Sequence, residues 1–348
     1  MTTGASIADG PAAAAQARAA PPVFAALDLG TNNCRLLIAR PARDGFRVIE
    51  AFSRIVRLGE GLSSSGRLSE AAMARTIDAL KICSEKMARR GVTVARAVAT
   101  EACRRAGNGA EFLHEVKGAT GIALDIITSA EEARLALAGC TPLLEPPHDH
   151  AIVFDIGGGS TEILWTSLPG GGRTEVIDWI SLPYGVVNLT ERYGAGDHAS
   201  GSYARMIAEV AEALAPFEAR HGLAGHLREG RVQVLGTSGT VTTLAGVLLG
   251  LPRYERRLVD GCWLDFNRVI EQSRQLAGQS IADRALHPCI GEERADLVVA
   301  GCAILEALHR FWPADRLRVA DRGVREGVLV ELMRRDRTRG DHHRGARR

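Results

Sequence analysis

The stretch of sequence that decides the fold lies at residues 155–162 and reads Asp-Ile-Gly-Gly-Gly-Ser-Thr-Glu. Apolar residues precede it at 151–154, and an alternating segment follows at 161–165. This order is typical of a strand, a glycine-rich loop and a second strand. A similar stretch, Asp-Leu-Gly-Thr-Asn-Asn, stands 127 residues earlier at 28–33, again between two apolar runs. The repeat predicts two homologous lobes built on one design.

Each repeat opens a segment in which strands and helices alternate. Three strands form a meander, and helical periodicity then begins at 69–89 in the first half and at 203–220 in the second. This order predicts an α/β fold. We assign the chain to a disordered N-terminal tail at 1–21, lobe I at 22–143, lobe II at 144–333 and a basic C-terminal tail at 334–348.

Composition excludes several function classes. The 348 residues carry 43 Lys+Arg and 41 Asp+Glu, and the formal charge of +2 gives no support for nucleic-acid binding. The basic C-terminal tail is consistent with a solvated end, and also with an arm that captures polyanions. Seven cysteines without a CxxC pair argue against a metal cluster or a disulfide framework. Because neither a signal-peptide pattern nor a membrane-length apolar run is present, we expect a cytoplasmic protein with no membrane partner.

The two glycine-containing loops indicate a phosphorylated ligand, because backbone amides without a nearby Cβ can approach phosphate oxygens closely. Either loop alone could be an ordinary hairpin turn. Neither is a Walker loop, since no Gly-Lys-Ser/Thr follows, and neither has the dinucleotide pattern GxGxxG before a helix. What remains is a pair of aspartate-bearing hairpins facing each other across a cleft. That arrangement is similar to the one used by actin-like phosphotransferases.

Both loops closely resemble the phosphate motifs of the exopolyphosphatase and guanosine pentaphosphate phosphatase (Ppx/GppA) family. Further motifs extend the resemblance over about residues 23–333, namely Arg-Leu-Gly-Glu-Gly-Leu at 57–62, Ala-Thr-Glu-Ala-Cys-Arg at 99–104, Glu-Glu-Ala-Arg-Leu at 131–135, Gly-Thr-Ser-Gly-Thr at 236–240, Glu-Arg-Ala-Asp at 293–296 and Val-Arg-Glu-Gly at 324–327. The resemblance implies two ribonuclease-H-like lobes of the actin-like ATPase superfamily, with the active site in the cleft between them. The chain looks like a short, two-domain member. Glu101 departs from the family pattern, in which a serine is common at that place.

The resemblance also implies roles for individual residues. Glu132 corresponds to the general base that takes a proton from the attacking water, while Glu131 fits a stabiliser of the first helical turn. Arg104 corresponds to a substrate-contacting arginine, and an exposed helix cation is the alternative. Asp155 and Glu162 are oxygen ligands suited to Mg²⁺ or another divalent cation.

A larger set of small and polar residues is expected to bind phosphate. The members are Asp28, Gly30, Thr31, Asn32, Asn33, Gly157, Gly158, Gly159, Ser160, Thr161, Gly236, Thr237, Ser238 and Gly239. Asp28 could instead cap its own turn, and residues 236–240 could simply begin a capped helix.

Taken together, these residues and the resemblance imply a Mg²⁺-dependent exopolyphosphatase that releases orthophosphate from the end of inorganic polyphosphate. The alternative enzyme removes the terminal 5′ phosphate of guanosine pentaphosphate (pppGpp) with the same residues. A kinase of the same fold and a non-catalytic sensor of polyphosphate or an alarmone also stay open. The family resemblance further allows a homodimer and a monovalent-cation requirement. The apolar helix at 295–311 fits either a dimer interface or the core.

Overall fold

The computed structural model describes residues 21–43, 45–169, 174–196 and 201–345, with side chains as far as residue 338. The predicted N-terminal tail lies outside the described residues apart from Pro21. Among the helices so described, none has both the length and the hydropathy that a membrane crossing requires.

The first half of the chain builds a five-stranded sheet in the order β3-β2-β1-β4-β5. Strands β1, β2 and β3 form an antiparallel meander, and β4 pairs in parallel with β1. The elements are β1 (Phe24–Leu29), β2 (Asn33–Ala42), β3 (Gly45–Ile55), α1 (Leu62–Ser65), α2 (Glu70–Arg89), β4 (Val94–Ala99), α3 (Glu101–Arg105), α4 (Gly109–Thr120), β5 (Leu124–Ile126) and α5 (Ser129–Cys140).

The second half repeats this plan in a six-stranded sheet with the order β10-β11-β9-β6-β7-β8. Its strands β6, β7 and β8 again form an antiparallel meander, and β9 pairs in parallel with β6. The elements are β6 (His150–Ile156), β7 (Thr161–Ser167), β8 (Glu175–Leu182), α6 (Val186–Tyr193), α7 (Ser202–His221), α8 (Leu223–Arg228), β9 (Val232–Thr237), α9 (Ser238–Leu248), α10 (Arg256–Val259), β10 (Trp263–Asp265), α11 (Phe266–Ala277), α12 (Ile281–Ala285), α13 (Val298–Phe311), β11 (Arg316–Ala320) and α14 (Val324–Gly345). The matching strand orders confirm the predicted two-lobed α/β fold.

Both sheets are covered on both faces, which explains why their central strands are almost continuously apolar. Alternate residues of β1 enter different cores: Leu27 packs towards α2 and α4, while Ala26 packs towards α5 and α14. Helix α5 is shared between the lobes, because Leu135 belongs to a core of the first sheet and Leu137 to a core of the second. The N-terminal turn of α5 is therefore held at the junction of the two lobes.

Helix α13 is part of the core of lobe II. Every residue from Val298 to Leu308 is buried. The acid among them, Glu306, is bonded to Arg274, Arg310 and Tyr203. The apolar periodicity over residues 298–308 thus reflects packing inside lobe II.

The C-terminal helix departs from the expected domain division. Sequence order places residues 324–333 in lobe II, but α14 packs against α5, β1 and β2 of lobe I. Val328, Leu329 and Met333 join Phe24 and Leu135 in one core. The helix also continues to Gly345, into the range for which the sequence predicts a basic tail. Apolar side chains at helical spacing attract this helix to the uncovered face of the first sheet.

Helices α5 and α14 approach so closely that only glycine fits at the contact. A methyl group on Gly327 would overlap the carbonyl group of Leu135. We expect Gly327→Ala to lower the free energy of unfolding by about 1–3 kcal/mol, since the backbones must separate to admit it. Gly118→Ala is the matched control, because a Cβ at Gly118 meets nothing within 4 Å. Thermal or urea unfolding of both variants tests this, and equal stabilities would contradict the close packing.

Candidate active site

A cavity opens between the lobes at the carboxyl ends of β1, β4, β6 and β9, where ligands bind in open α/β folds. Both lobes contribute to its wall. The lining residues are Asp28, Gly30, Thr31, Asn32, Asn33, Arg35, Thr100, Glu101, Glu132, Asp155, Gly157, Gly158, Gly159, Ser160, Ser238 and Val324. Most of the residues expected from the sequence are therefore brought to one place.

The two glycine-containing loops form hairpin turns of the same kind. Gly30 N donates to Asn33 O at 2.9 Å, and Gly157 N donates to Ser160 O at the same distance. These two amides are used within their turns, so they do not reach a ligand. Within the described parts of the chain, the amides of Thr31, Asn32, Gly158 and Gly159 donate to no protein atom. They are the backbone donors that the loops offer to an anion.

The loops lie in contact across the cleft. A Cβ on Gly158 would stand 2.9 Å from Thr31 Cβ, and one on Gly159 would stand 2.8 Å from Thr31 Oγ1. Glycine at 158 and 159 is thus required by the approach of the opposite lobe. Arg57 also spans the lobes, with Nη1 and Nη2 bonded to the two carboxylate oxygens of Asp296 at 2.6 and 3.1 Å.

Acidic side chains are concentrated beneath the loops. Asp155 on β6 lies directly opposite Glu162 on β7, so their side chains share one face of the sheet. Burial raises the pKa of Asp155 to about 6 and that of Glu162 to about 7. Burial also raises the pKa of Asp28. Glu162 does not line the cavity. Its Oε1 accepts hydrogen bonds from Ser160 and Ser181 at 2.7 and 2.8 Å.

The acid pair at the start of α5 is divided between two roles. Thr128 caps the helix, accepting from Glu131 N at 3.2 Å. The Glu131 side chain accepts from Arg96 at 2.7 Å and lies away from the cavity, as expected for a structural acid. The Glu132 side chain lines the cavity. Burial, together with the charge of Glu162, raises its pKa well above the usual range.

Arg104 on α3 lies behind Glu132 and outside the lining of the cavity. Its Nη1 donates to Glu132 Oε2 at 3.2 Å and to Ile127 O at 2.7 Å. Its Nε and Nη2 donate to Glu101 Oε2 at 3.1 and 2.6 Å. The family resemblance implies contact between Arg104 and substrate, with an exposed helix cation as the alternative, whereas the structure shows this guanidinium bonded to two carboxylates.

The third motif, at residues 236–240, lies where β9 passes directly into α9, and it is only partly at the cavity. Ser238 lines it, while Thr237 Oγ1 donates to Arg322 O at 2.6 Å. Gly236 lies inside β9, where a Cβ would stand 2.6 Å from the Phe154 ring. Thr161 is fully buried and donates to the Tyr184 carbonyl. For Gly236 and Thr161 the structure therefore shows packing and anchoring, and it does not bring them to the expected phosphate site.

A second cavity adjoins the first and shares Asp28, Asp155 and Ser238 with it. Five arginines line it, namely Arg35, Arg256, Arg294, Arg322 and Arg325. Gly239, in the first turn of α9, also lines this space. None of these five arginines is among the site residues expected from the sequence. The available signal for Arg35 was hairpin register, because it pairs with Asp28 across β1 and β2.

Because the pKa of Glu162 is raised, we expect the stability of the protein to depend on pH in the absence of divalent cations. The pKa of Glu162 is about 7 when folded and near 4.5 when unfolded, so the folded state retains a proton that the unfolded state releases. Stability from this group is present below pH 4.5 and is lost as the pH rises through 7. We expect Glu162→Gln to be more stable than the wild type by about 3 kcal/mol at pH 8, and equally stable near pH 4.5.

Thermal unfolding in EDTA across this pH range measures the difference. Glu111→Gln is the control for loss of an exposed carboxylate, since the Glu111 side chain is 80% exposed. A constant difference between Glu162→Gln and the wild type at all pH values would contradict the buried charge.

Two lobes of the same strand order, with paired glycine hairpins and a buried carboxylate at their cleft, define an enzyme of actin-like fold that acts on phosphate groups. A family model described as the Ppx/GppA phosphatase family matches residues 37–336. The chain belongs to the Ppx/GppA phosphatase family, whose members are hydrolases.

Relatives and solved structures agree with this membership. Exopolyphosphatase 2 of Mycobacterium tuberculosis is 31% identical over 325 residues, covering 88% of this chain and 98% of that protein. Guanosine-5'-triphosphate,3'-diphosphate pyrophosphatase of Aeromonas salmonicida is 30% identical, and the match covers 90% of this chain but 60% of that protein. The crystal structure of the Aquifex aeolicus Ppx/GppA family member is similar with a TM-score of 0.72 and 30% identity. That match covers 90% of this chain and 98% of the other.

Proposed function

We propose that this protein is a divalent-cation-dependent exopolyphosphatase, which hydrolyses the terminal phosphoanhydride of inorganic polyphosphate and releases orthophosphate. The observation that carries the proposal is the position of Glu132. This carboxylate of raised pKa faces a cavity whose wall also carries the unpaired amides of both hairpins. The name of the Mycobacterium relative supports polyphosphate as the substrate. The seven free thiols support a reducing compartment, as in the cytoplasm.

The geometry supports direct attack by water. The amides of Thr31, Asn32, Gly158 and Gly159 would hold the oxygens of the terminal phosphoryl group, whose charge grows in the transition state. Arg104 donates hydrogen bonds to Oε2 of Glu132, while Oε1 has no partner among the described residues. Oε1 is therefore the atom that would accept the proton from water. General base catalysis of this kind contributes about 10²- to 10⁴-fold.

The donor set fits a divalent cation. Asp155 lines the cavity and would contact the ion there, while Glu162 lies outside the lining, on the same face of the hairpin, with Oε1 bonded to two serines. Burial raises the pKa of both carboxyl groups, so a cation would relieve their charge. Mg²⁺ normally keeps several waters and needs few carboxylates. Within the described residues, no three acidic, histidine or cysteine side chains form a metal cage by themselves. When bound, the ion would supply positive charge to the phosphoryl oxygens.

A second candidate substrate is pppGpp, and one feature of the cleft favours it. A further cavity beside Ser238 has apolar walls formed by Ile156, Val186 and Leu297. Asn32 also lines this space, and its buried Oδ1 has no hydrogen-bond partner among the described residues. Apolar walls with a few polar groups suit a nucleoside. The name of the Aeromonas relative points to the same class of substrate.

Phosphate release from long polyphosphate and from pppGpp, measured side by side with Mg²⁺ and without an acceptor, tests the proposal. A higher kcat/KM for polyphosphate supports the exopolyphosphatase, and a higher value for pppGpp supports the second candidate. ATP-dependent labelling of a small alcohol without phosphate release would show a kinase. Binding of either compound without any turnover would show a sensor.

A further inference from the structure

The hydrogen bonds of Arg104 account for its whole donor capacity. A guanidinium has five N–H groups. In this protein Nε donates to Glu101, one Nη1 hydrogen reaches Ile127 O, and Nη2 serves both Glu101 and Glu132. The remaining Nη1 hydrogen is directed to Glu132 Oε2. No donor of Arg104 is left over for a phosphate oxygen.

The packing around Glu101 keeps its carboxylate in the position where it binds Arg104. Glu101 begins α3, and its side chain is 14% exposed. Its Cγ lies against the loop of the other lobe, because a Cβ on Gly159 would stand 2.9 Å from it. Displacing Glu101 from Arg104 would therefore break two charge-assisted hydrogen bonds in a half-buried place. A phosphate must also avoid the Glu101 carboxylate, which lines the same cavity.

We propose that Arg104 is a positioning residue for Glu132 and not a substrate ligand, because Glu101 binds its guanidinium. This inference rests on the proposed hydrolase function, because it assigns the partner of the water-activating carboxylate. Glu101 binds the Nε–Nη2 edge of the guanidinium, and the rest of the guanidinium holds Glu132 Oε2. Glu132 Oε1 is thereby kept facing the cavity. Among the described residues, the cationic side chain that lines this cavity is Arg35, on the second strand of the first hairpin.

If Arg104 positions Glu132, its substitution should lower turnover without weakening the binding of substrate. We expect Arg104→Met to lower kcat for polyphosphate at least tenfold, because Glu132 loses its orientation, and to change KM less than twofold. Arg104→Lys should recover part of the kcat. Glu101→Ser frees the Nε–Nη2 edge, so we expect KM to fall about 3- to 10-fold. Only in the Glu101→Ser background should Arg104→Met raise KM by a similar factor.

Binding measured without turnover separates this inference from the proposed function. We would titrate a methylene-bridged, non-hydrolysable analogue of tripolyphosphate with Mg²⁺ by calorimetry. The expected Kd is unchanged in Arg104→Met, lower in Glu101→Ser, and restored to the wild-type value in the double variant. Glu111→Gln controls for loss of a carboxylate, and thermal unfolding verifies that each variant is folded.

The possible outcomes are distinct. If Arg104→Met alone weakens binding of the analogue tenfold or more, Arg104 contacts the phosphate and the inference is overturned. Equal affinities for the wild type and Glu101→Ser would also overturn it, since no donor would have been released. The wild type and the variants could bind the analogue with the expected order of Kd values while the wild type releases no phosphate from polyphosphate or pppGpp. In that case the hydrolase proposal fails and the assignment of Arg104 stands.

Discussion

Glu132→Gln is expected to reduce phosphate release by about 10²- to 10⁴-fold while leaving substrate affinity within a few-fold of the wild type. Gln has nearly the same size and can still accept from Arg104, but it cannot take a proton from water. The Glu132 carboxylate is the candidate base because it lines the cavity. Steady-state kinetics with polyphosphate and Mg²⁺, together with the Kd of the non-hydrolysable analogue, measure both quantities.

Glu131→Gln is the matched control for this prediction. It makes the same change one residue away, on the same helical turn, but the Glu131 side chain is bonded to Arg96 outside the cavity. We expect its turnover to remain within about twofold of the wild type. Comparable losses in the two variants would assign the effect to the charge of the helix N-terminus, and unchanged turnover in Glu132→Gln would remove Glu132 from the mechanism.

Gly158→Ala is expected to lower kcat/KM by about 10- to 100-fold with little loss of global stability. A methyl group at this place would stand 2.9 Å from Thr31 Cβ and 3.2 Å from Asn32 N, so the two hairpins would have to separate. Displacement by a few tenths of an ångström moves backbone donors out of line with the phosphoryl oxygens, and catalysis is sensitive to such displacements. Kinetics with polyphosphate and thermal unfolding of the same preparation separate activity from folding.

The same Gly→Ala change at Gly118 gives the control, because that position on α4 is open. We expect Gly118→Ala to keep full activity. If Gly158→Ala were as active as this control, the contact between the hairpins would have no bearing on catalysis.

Much of the fold could be predicted from the sequence because its evidence is local. The two aspartate-containing loops lie between apolar strands, and their order along the chain predicted the repeated meander that both sheets show. The division of the chain was less predictable. Helix α14 follows β11 of lobe II, yet it packs on the first sheet, and no local pattern specifies which exposed sheet face an amphipathic helix will cover.

In the candidate site, too, some residues could be predicted from local sequence while others depend on the packing of distant segments. The order of apolar and polar segments predicted Asp155 at the end of a strand, the family resemblance indicated Glu132, and both line the cavity. Gly236 was selected from the same kind of motif, but its missing side chain makes room for the Phe154 ring. A glycine that admits a ligand and one that admits a neighbouring ring look alike in a sequence.

The amino-acid sequence by itself determined the two lobes and the two hairpins, because these follow from the spacing of apolar, glycine and acidic residues along short segments. It also contained the motifs that resemble those of the family. Only the tertiary structure decided that Arg104 is bonded to Glu101 and Glu132, and that arginines from distant segments surround one space. The physical reason is that a charged side chain bonds whichever partner the packed lobes bring within reach. That partner depends on how the two sheets and the helix between them are assembled.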